Sequence, residues 1–153
     1  MCGPISFQEL YESECKALLP RPGVYVVQVP DNFVPIFLEK GTGGFFKGED
    51  PNVSVETLQS RWVRDARELY IGMTTTNLQE RVLSLLKFGQ GKRVPHKGGR
   101  LLWQLKNSGE LLLSWCENDA PTQEEARLLR GFELRHGRLP FANLKHGSEE
   151  GAG

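Results

Sequence analysis

Apolar positions along the chain recur at two spacings, and the switches between them mark out its elements. Val24-Tyr25-Val26-Val27-Gln28-Val29 is β-branched and aromatic, and Leu19-Pro20-Arg21-Pro22-Gly23 precedes it as a turn, so it predicts a strand. Glu68-Leu69-Tyr70-Ile71-Gly72-Met73 predicts a second strand, and Leu111-Leu112-Leu113-Ser114-Trp115 a third. Helical spacing appears between them. Ser6 and Glu9 stand at capping-box distance and predict a helix from Phe7 to Leu18. Ser54 caps a stretch reaching Val63, in which Leu58 and Trp62 lie four apart. Thr74-Thr75-Thr76-Asn77 is a capping cluster before Leu78 to Phe88, where Leu78, Val82 and Leu85 form a stripe. The clearest helix follows Asp119-Ala120-Pro121, running from Thr122 to His136 and closed by Gly137.

Weaker signals fill the gaps. Val34 to Leu38 predicts a short edge strand, Gly41-Thr42-Gly43-Gly44 a turn, and Gly99 to Leu105 a short helix carrying Leu102 and Trp103. The expected fold is therefore α/β in the α+β sense: a small, central, mainly antiparallel three-stranded sheet flanked by helices. Residues 1–19 form an N-terminal helical segment, and residues 20–145 one domain with an insertion at about 30–66. The polar, Gly-rich residues 146–153 form a tail.

Composition narrows the class. A chain of 153 residues suits one domain with its own core, and 39% hydrophobic with 25% charged residues is ordinary for a globular protein. No apolar run is long enough for a membrane span, and the first residues are acidic where a signal peptide would be basic, so the expected compartment is the cytoplasm, without membrane association. Cys2, Cys15 and Cys116 have no Cys-x-x-Cys pairing, which disfavours a disulfide framework or a cysteine zinc site. Net charge is zero, yet Arg81, Lys87, Lys92, Arg93, Lys97, Arg100 and Lys106 fall in one stretch without an acidic residue. Such segregation suits a face that tracks phosphates, or else a solvated basic loop.

The ordered motifs carry a resemblance. Gly23-Val24-Tyr25 on the first strand and Tyr70-Ile71-Gly72 on the second resemble the paired signatures of the GIY-YIG nuclease superfamily. Asn77-Leu78-Gln79-Glu80-Arg81-Val82 is similar to the helix that supplies the family's arginine. Glu125-Ala126-Arg127-Leu128-Leu129, followed by Pro140-Phe141-Ala142-Asn143, resembles its metal-binding glutamate and terminal asparagine. The likeness spans roughly residues 20–145. It implies a GIY-YIG-like fold and hydrolysis of DNA phosphodiester bonds, branched or single-stranded substrates included, with one Mg²⁺ or Mn²⁺ on Glu125. Tyr25 would activate water, helped by His96 or Tyr70, and Arg81 would stabilise developing charge. Lys87, Lys92, Arg93, Lys97 and Arg100 would hold the nucleic-acid backbone. Gly72 would leave backbone space beside the site, and Asn143 would bond backbone near it.

Two departures stand out. About 45 residues separate the tyrosines, so Gly41 to Val63 reads as an insertion, a lid or a substrate-contacting arm. Met73 stands where relatives often carry a polar or basic residue.

The residues themselves add independent weight and independent rivals. Tyr25 shares a strand face with Val27 and Val29, and Tyr70 shares one with Gly72, so the phenols meet if those faces align; they are otherwise core tyrosines. Arg81 flanks the stripe of its helix and either forks a phosphate or lies along the surface. Glu125 is on the stripe of Leu129, Phe132 and His136, whereas Glu124 and Glu133 lie about 100° and 80° away. A carboxylate there calls for a compensating cation, unless Thr122 and Glu125 form a capping box. His96 is a loop histidine that could take a proton. The rival functions are a catalytically inactive nucleic-acid or protein-binding module on the same fold and, with less support, a small-molecule enzyme.

Overall fold

The computed structural model describes residues 1–44, 48–94 and 98–145. In chain order its regular elements are β1 (Cys2–Ser6), α1 (Phe7–Glu12), β2 (Gly23–Gln28), α2 (Val55–Arg61), β3 (Glu68–Thr74), α3 (Leu78–Gly89), β4 (Leu112–Glu117) and α4 (Pro121–His136), with 3₁₀ turns at Arg100–Gln104 and Ser108–Glu110. The strands form one sheet in the order β1-β4-β2-β3, every neighbouring pair antiparallel. The class is mixed α and β.

The sheet thus has four strands where the hydrophobic pattern predicts three. The extra one, β1, pairs with β4 at the edge, with a register shift between Cys2 and Ile5. Cys2-Gly3-Pro4-Ile5-Ser6 has neither alternation nor a β-branched run, and proline cannot donate to a ladder. Only an edge strand or a bulge tolerates it, so the segment carries no strand signal of its own.

The helices divide between the two faces. Tyr25 and Val27 of β2, Tyr70 of β3, and Leu113 and Trp115 of β4 join Leu78, Val82, Leu85, Leu86 and Phe88 of α3 and Phe7 and Leu10 of α1 in the main core. On the other face Val26 and Ile71 pack with Leu129 of α4 in a smaller cluster. The alternation of β2 and β3 therefore feeds two cores at once, which is why both strands read as nearly continuous apolar runs.

Three further expectations shift. The first helix ends at Glu12, not Leu18, because Glu14 and Cys15 take left-handed φ of 55° and 56°. That reversal drops Cys15 and Leu18 into the core. Val34 to Leu38 makes only one bridge, Phe37 to Leu105, since Pro35 removes a ladder donor. The predicted helix from Gly99 is a 3₁₀ turn.

That turn anchors the insertion. Gln104 is buried, and its side chain accepts from the Val53 N–H (2.9 Å) and donates to the carbonyls of Leu38 (2.9 Å) and Val53 (2.8 Å). Its own carbonyl accepts from the Leu38 N–H at 2.8 Å. One amide thus staples both ends of the 38–53 excursion to the core. Gln104→Leu should lower unfolding free energy by roughly 2–4 kcal/mol, because backbone groups lose partners they cannot replace. Urea denaturation reads the loss, and limited proteolysis should cut first between residues 38 and 53.

Burial also fixes cysteine reactivity. Desolvation pushes the Cys15 thiol up from 9.0 to about 12, while Cys2 is exposed. Because the folded value is raised, this thiol's contribution to stability is whole below pH 9 and is lost as pH rises toward 12. At pH 8 a disulfide thiol reagent should label Cys2 at once and Cys15 only after denaturation.

Candidate functional site

The site begins with two facing tyrosines on adjacent strands. In the β2–β3 register Tyr25 stands opposite Gly72 and Val27 opposite Tyr70, so both phenols occupy the main-core face. Their ring centroids are 6.1 Å apart and the planes tilt by 50°. Both are buried, Tyr25 completely.

Gly72 makes this arrangement possible. A Cβ there would sit 2.5 Å from Tyr25 Cζ and 2.6 Å from its hydroxyl oxygen, inside contact distance. The Tyr25 ring thus lies across the backbone of Gly72 on the neighbouring strand. Gly23 serves a related end, since a Cβ there would meet the Cys116 carbonyl oxygen at 2.3 Å and Leu78 at 2.6 Å, where α3 starts.

Arg81 is held on α3 by a layered cap. The buried Thr74 hydroxyl accepts from the N–H groups of Thr76 (3.2 Å) and Asn77 (3.3 Å). Asn77 Oδ1 accepts from the Glu80 N–H (3.0 Å) and Asn77 Nδ2 donates to the Glu80 carboxylate (3.0 Å). The first turn of α3 is thereby fixed to the end of β3. Arg81 is half-buried there, beside the stripe that packs under both tyrosines.

Glu125 comes from the other face. The cap of α4 is Ala120 with Pro121 in the first turn, so Thr122 lies inside the helix and the capping-box pair of Thr122 and Glu125 is ruled out. Glu125 is 2% exposed and one turn before Leu129, which touches Val26 and Ile71. Glu124 is set apart: Arg127 donates to it at 2.6 and 2.8 Å, and this bond holds its carboxyl below the ordinary range. Helix α4 starts just past Glu117, whose register partner Gly23 is paired with Thr74, and its last turn brings Arg135 to 3.4 Å from Glu68 at the start of β3. Glu125 therefore stands toward the Thr74 end of β3, as Arg81 does. The tyrosine pair meets directly. Arg81 and Glu125 reach the same end of the edge strand from opposite faces.

Asn143 closes the outer edge of β3. Its Nδ2 donates to the Ile71 carbonyl and its Oδ1 accepts from the Ile71 N–H, both at 2.9 Å, while the Ala142 N–H bonds the Leu69 carbonyl at 2.8 Å.

The basic residues are less concentrated. Lys87 and Arg100 are half-buried, and Lys92 and Arg93 are exposed beyond the end of α3, with the Lys92 ammonium 5.9 Å from the Tyr11 ring centre. From Arg81 to Gln90 the helix rises about 13 Å, so these charges are strung along α3 and past it. His96 and Lys97 lie outside the described residues, as does the tail 146–153. Gly99, which follows that segment, is buried, and a Cβ there would come within 3.3 Å of Tyr70 and 3.4 Å of Leu85 and Leu102.

Arg61 and Gln104 escape a reading of the sequence, whereas Thr74 falls within the capping cluster it marks before α3. Gln104 alone leaves a trace, as a polar residue inside Leu101-Leu102-Trp103-Gln104-Leu105, where burial demands partners. Among the described residues no group of three or more His, Cys, Asp or Glu side chains is placed to hold a metal, and no helix is long and apolar enough to cross a membrane. Comparison with known proteins returns no match: no family model fits the chain, and no curated protein or solved structure is significantly similar to it.

Gly72→Ala should cost about 1–3 kcal/mol of stability by overpacking against the Tyr25 ring. Tyr25→Phe should not relieve that cost, because the ring remains, whereas Tyr25→Leu should. A double-mutant cycle in thermal denaturation reads the coupling, and strict additivity would contradict the contact.

Proposed function

We propose that the chain is a metal-dependent endonuclease of the GIY-YIG type, hydrolysing phosphodiester bonds of DNA. The observation that carries this reading is the Tyr25–Tyr70 pair on adjacent antiparallel strands, with the Tyr25 ring seated over Gly72. Arg81 and Glu125 at the same end of β3 support it. Four residues drawn from two strands and two helices, each matching one signature position, are more specific than any one of them.

The donor set fits a hard divalent ion. Glu125 offers carboxylate oxygen from a buried position on α4, the kind of hard donor that Mg²⁺ and Mn²⁺ prefer. Mg²⁺ keeps several waters and is commonly held by one or two carboxylates plus substrate phosphate, so a single protein ligand suffices. When bound, Mg²⁺ or Mn²⁺ would neutralise charge on the scissile phosphate. The chain's own groups do the rest. Tyr25 takes a proton from the attacking water as it passes its own phenolic proton to His96, the candidate relay, with Tyr70 beside it. Arg81 donates its fork to the phosphate oxygens where charge develops. Lys87, Lys92, Arg93, Lys97 and Arg100 attract the strand by charge, so affinity falls with salt.

A second reading, a binding module that keeps the fold without cutting, draws on one observation. Tyr25 is 0% and Glu125 2% exposed, so a substrate reaches them only after local opening.

Nicking of supercoiled plasmid and of branched or single-stranded DNA with Mg²⁺ tests the proposal. Wild type should cut, EDTA should stop it, and Glu125→Gln should lose about 100-fold or more in rate while retaining DNA affinity. Absence of cutting on every DNA form, with binding intact, would establish the module instead.

A further inference from the structure

We infer that Arg61, in the insertion, is a positioning residue for the tyrosine site, acting through Asn143 on the strand backbone beneath Tyr25. The inference rests on the nuclease reading and names a part for a segment that the signature motifs do not include.

Arg61 ends α2 and is half-buried. Its Nε donates to the Phe141 carbonyl at 3.0 Å, and its Nη2 donates to the Asn143 carbonyl. A guanidinium has donors in a fixed planar fork, so it can hold two nearby carbonyls in one orientation, as an ammonium cannot. The residue so held is the one whose side-chain amide bonds both the N–H and the C=O of Ile71. Ile71 immediately precedes Gly72, over which the Tyr25 ring lies. The chain of contacts from the insertion to the phenol is therefore unbroken: Arg61, Asn143, Ile71, Gly72, Tyr25.

The same region is packed to hold that geometry. Trp62, next to Arg61, meets Phe141 at 5.3 Å and Phe37 at 5.7 Å between ring centres, so both sides of the insertion grip the segment that carries Asn143. A loose arm over the substrate would not be wedged in this way. The insertion is a brace against the edge strand.

A built-in control lies nearby. Arg138 also ties α2 to the C-terminal segment, but its Nη2 donates to the Ser60 carbonyl and not to Asn143. Arg138→Ala should loosen the brace without releasing Ile71.

The test compares Arg61→Ala, Arg61→Lys and Arg138→Ala in the full chain by nicking kinetics and by hydrogen exchange at individual amides. Arg61→Ala should lower kcat about 10- to 100-fold, the scale of an ångström-sized misplacement. KM for DNA should stay within about twofold, because phosphate-binding charges are untouched. Exchange at the Ile71 amide should rise about tenfold or more in Arg61→Ala and hold steady in Arg138→Ala. Arg61→Lys should fold like wild type and recover only part of the rate. Unchanged Ile71 exchange in Arg61→Ala overturns the inference, whether or not the protein cuts. Equal losses of kcat in Arg61→Ala and Arg138→Ala at matched stability overturn it as well. If wild type cuts no DNA, the nuclease reading falls on its own, and Ile71 exchange still decides whether Arg61 governs the strand.

Discussion

The seating of the Tyr25 ring on the bare backbone of Gly72 is the contact on which the other features of this molecule depend. It requires β2 and β3 to pair in one register, since a slip of one residue would put a side chain where the ring lies and turn Tyr25 to the opposite face. That register sets where β3 ends, and so where Thr74 and Asn77 can launch α3 with Arg81. It also sets which residues of β2 and β3 face α4. A single aromatic-on-glycine contact thereby aligns both cores.

Much of this arrangement was legible from residue pattern. Strands β2 and β3, and helices α3 and α4, have long runs in which hydrophobic spacing, caps and punctuation agree. Such agreement also located Glu125 on a buried stripe and put the two tyrosines on faces that could meet. Legibility ended where local signals conflicted. Gly3 and Pro4 hide an edge strand that exists because β4 offers a free ladder, not because those residues favour extension. Left-handed turns at Glu14 and Cys15 cut short a helix whose periodicity ran on.

The rest was out of reach for a different reason. Arg61 and Gln104 act on main-chain carbonyls of residues distant in sequence, and a carbonyl has no identity that a sequence can display. Asn143 does the same to Ile71, and only a resemblance to a family motif marked it out. Side-chain-to-backbone bonds across long separations are the grammar of this insertion. They make it invisible to periodicity while fastening it closely to the sheet.

The doubly bonded amide of Asn143 also bears on how the protein keeps to itself. It fills the place of a peptide from a neighbouring strand, and with the Ala142 N–H it occupies the ladder positions that β3 turns outward at Leu69 and Ile71. At the opposite margin of the sheet β1 carries Pro4, which has no hydrogen to offer an incoming strand. A sheet with one border occupied by its own side chain and the other blunted by an imino acid is a poor template for a second chain. The apolar runs of β2 and β3 are thereby not presented on an open border, where they would invite aggregation.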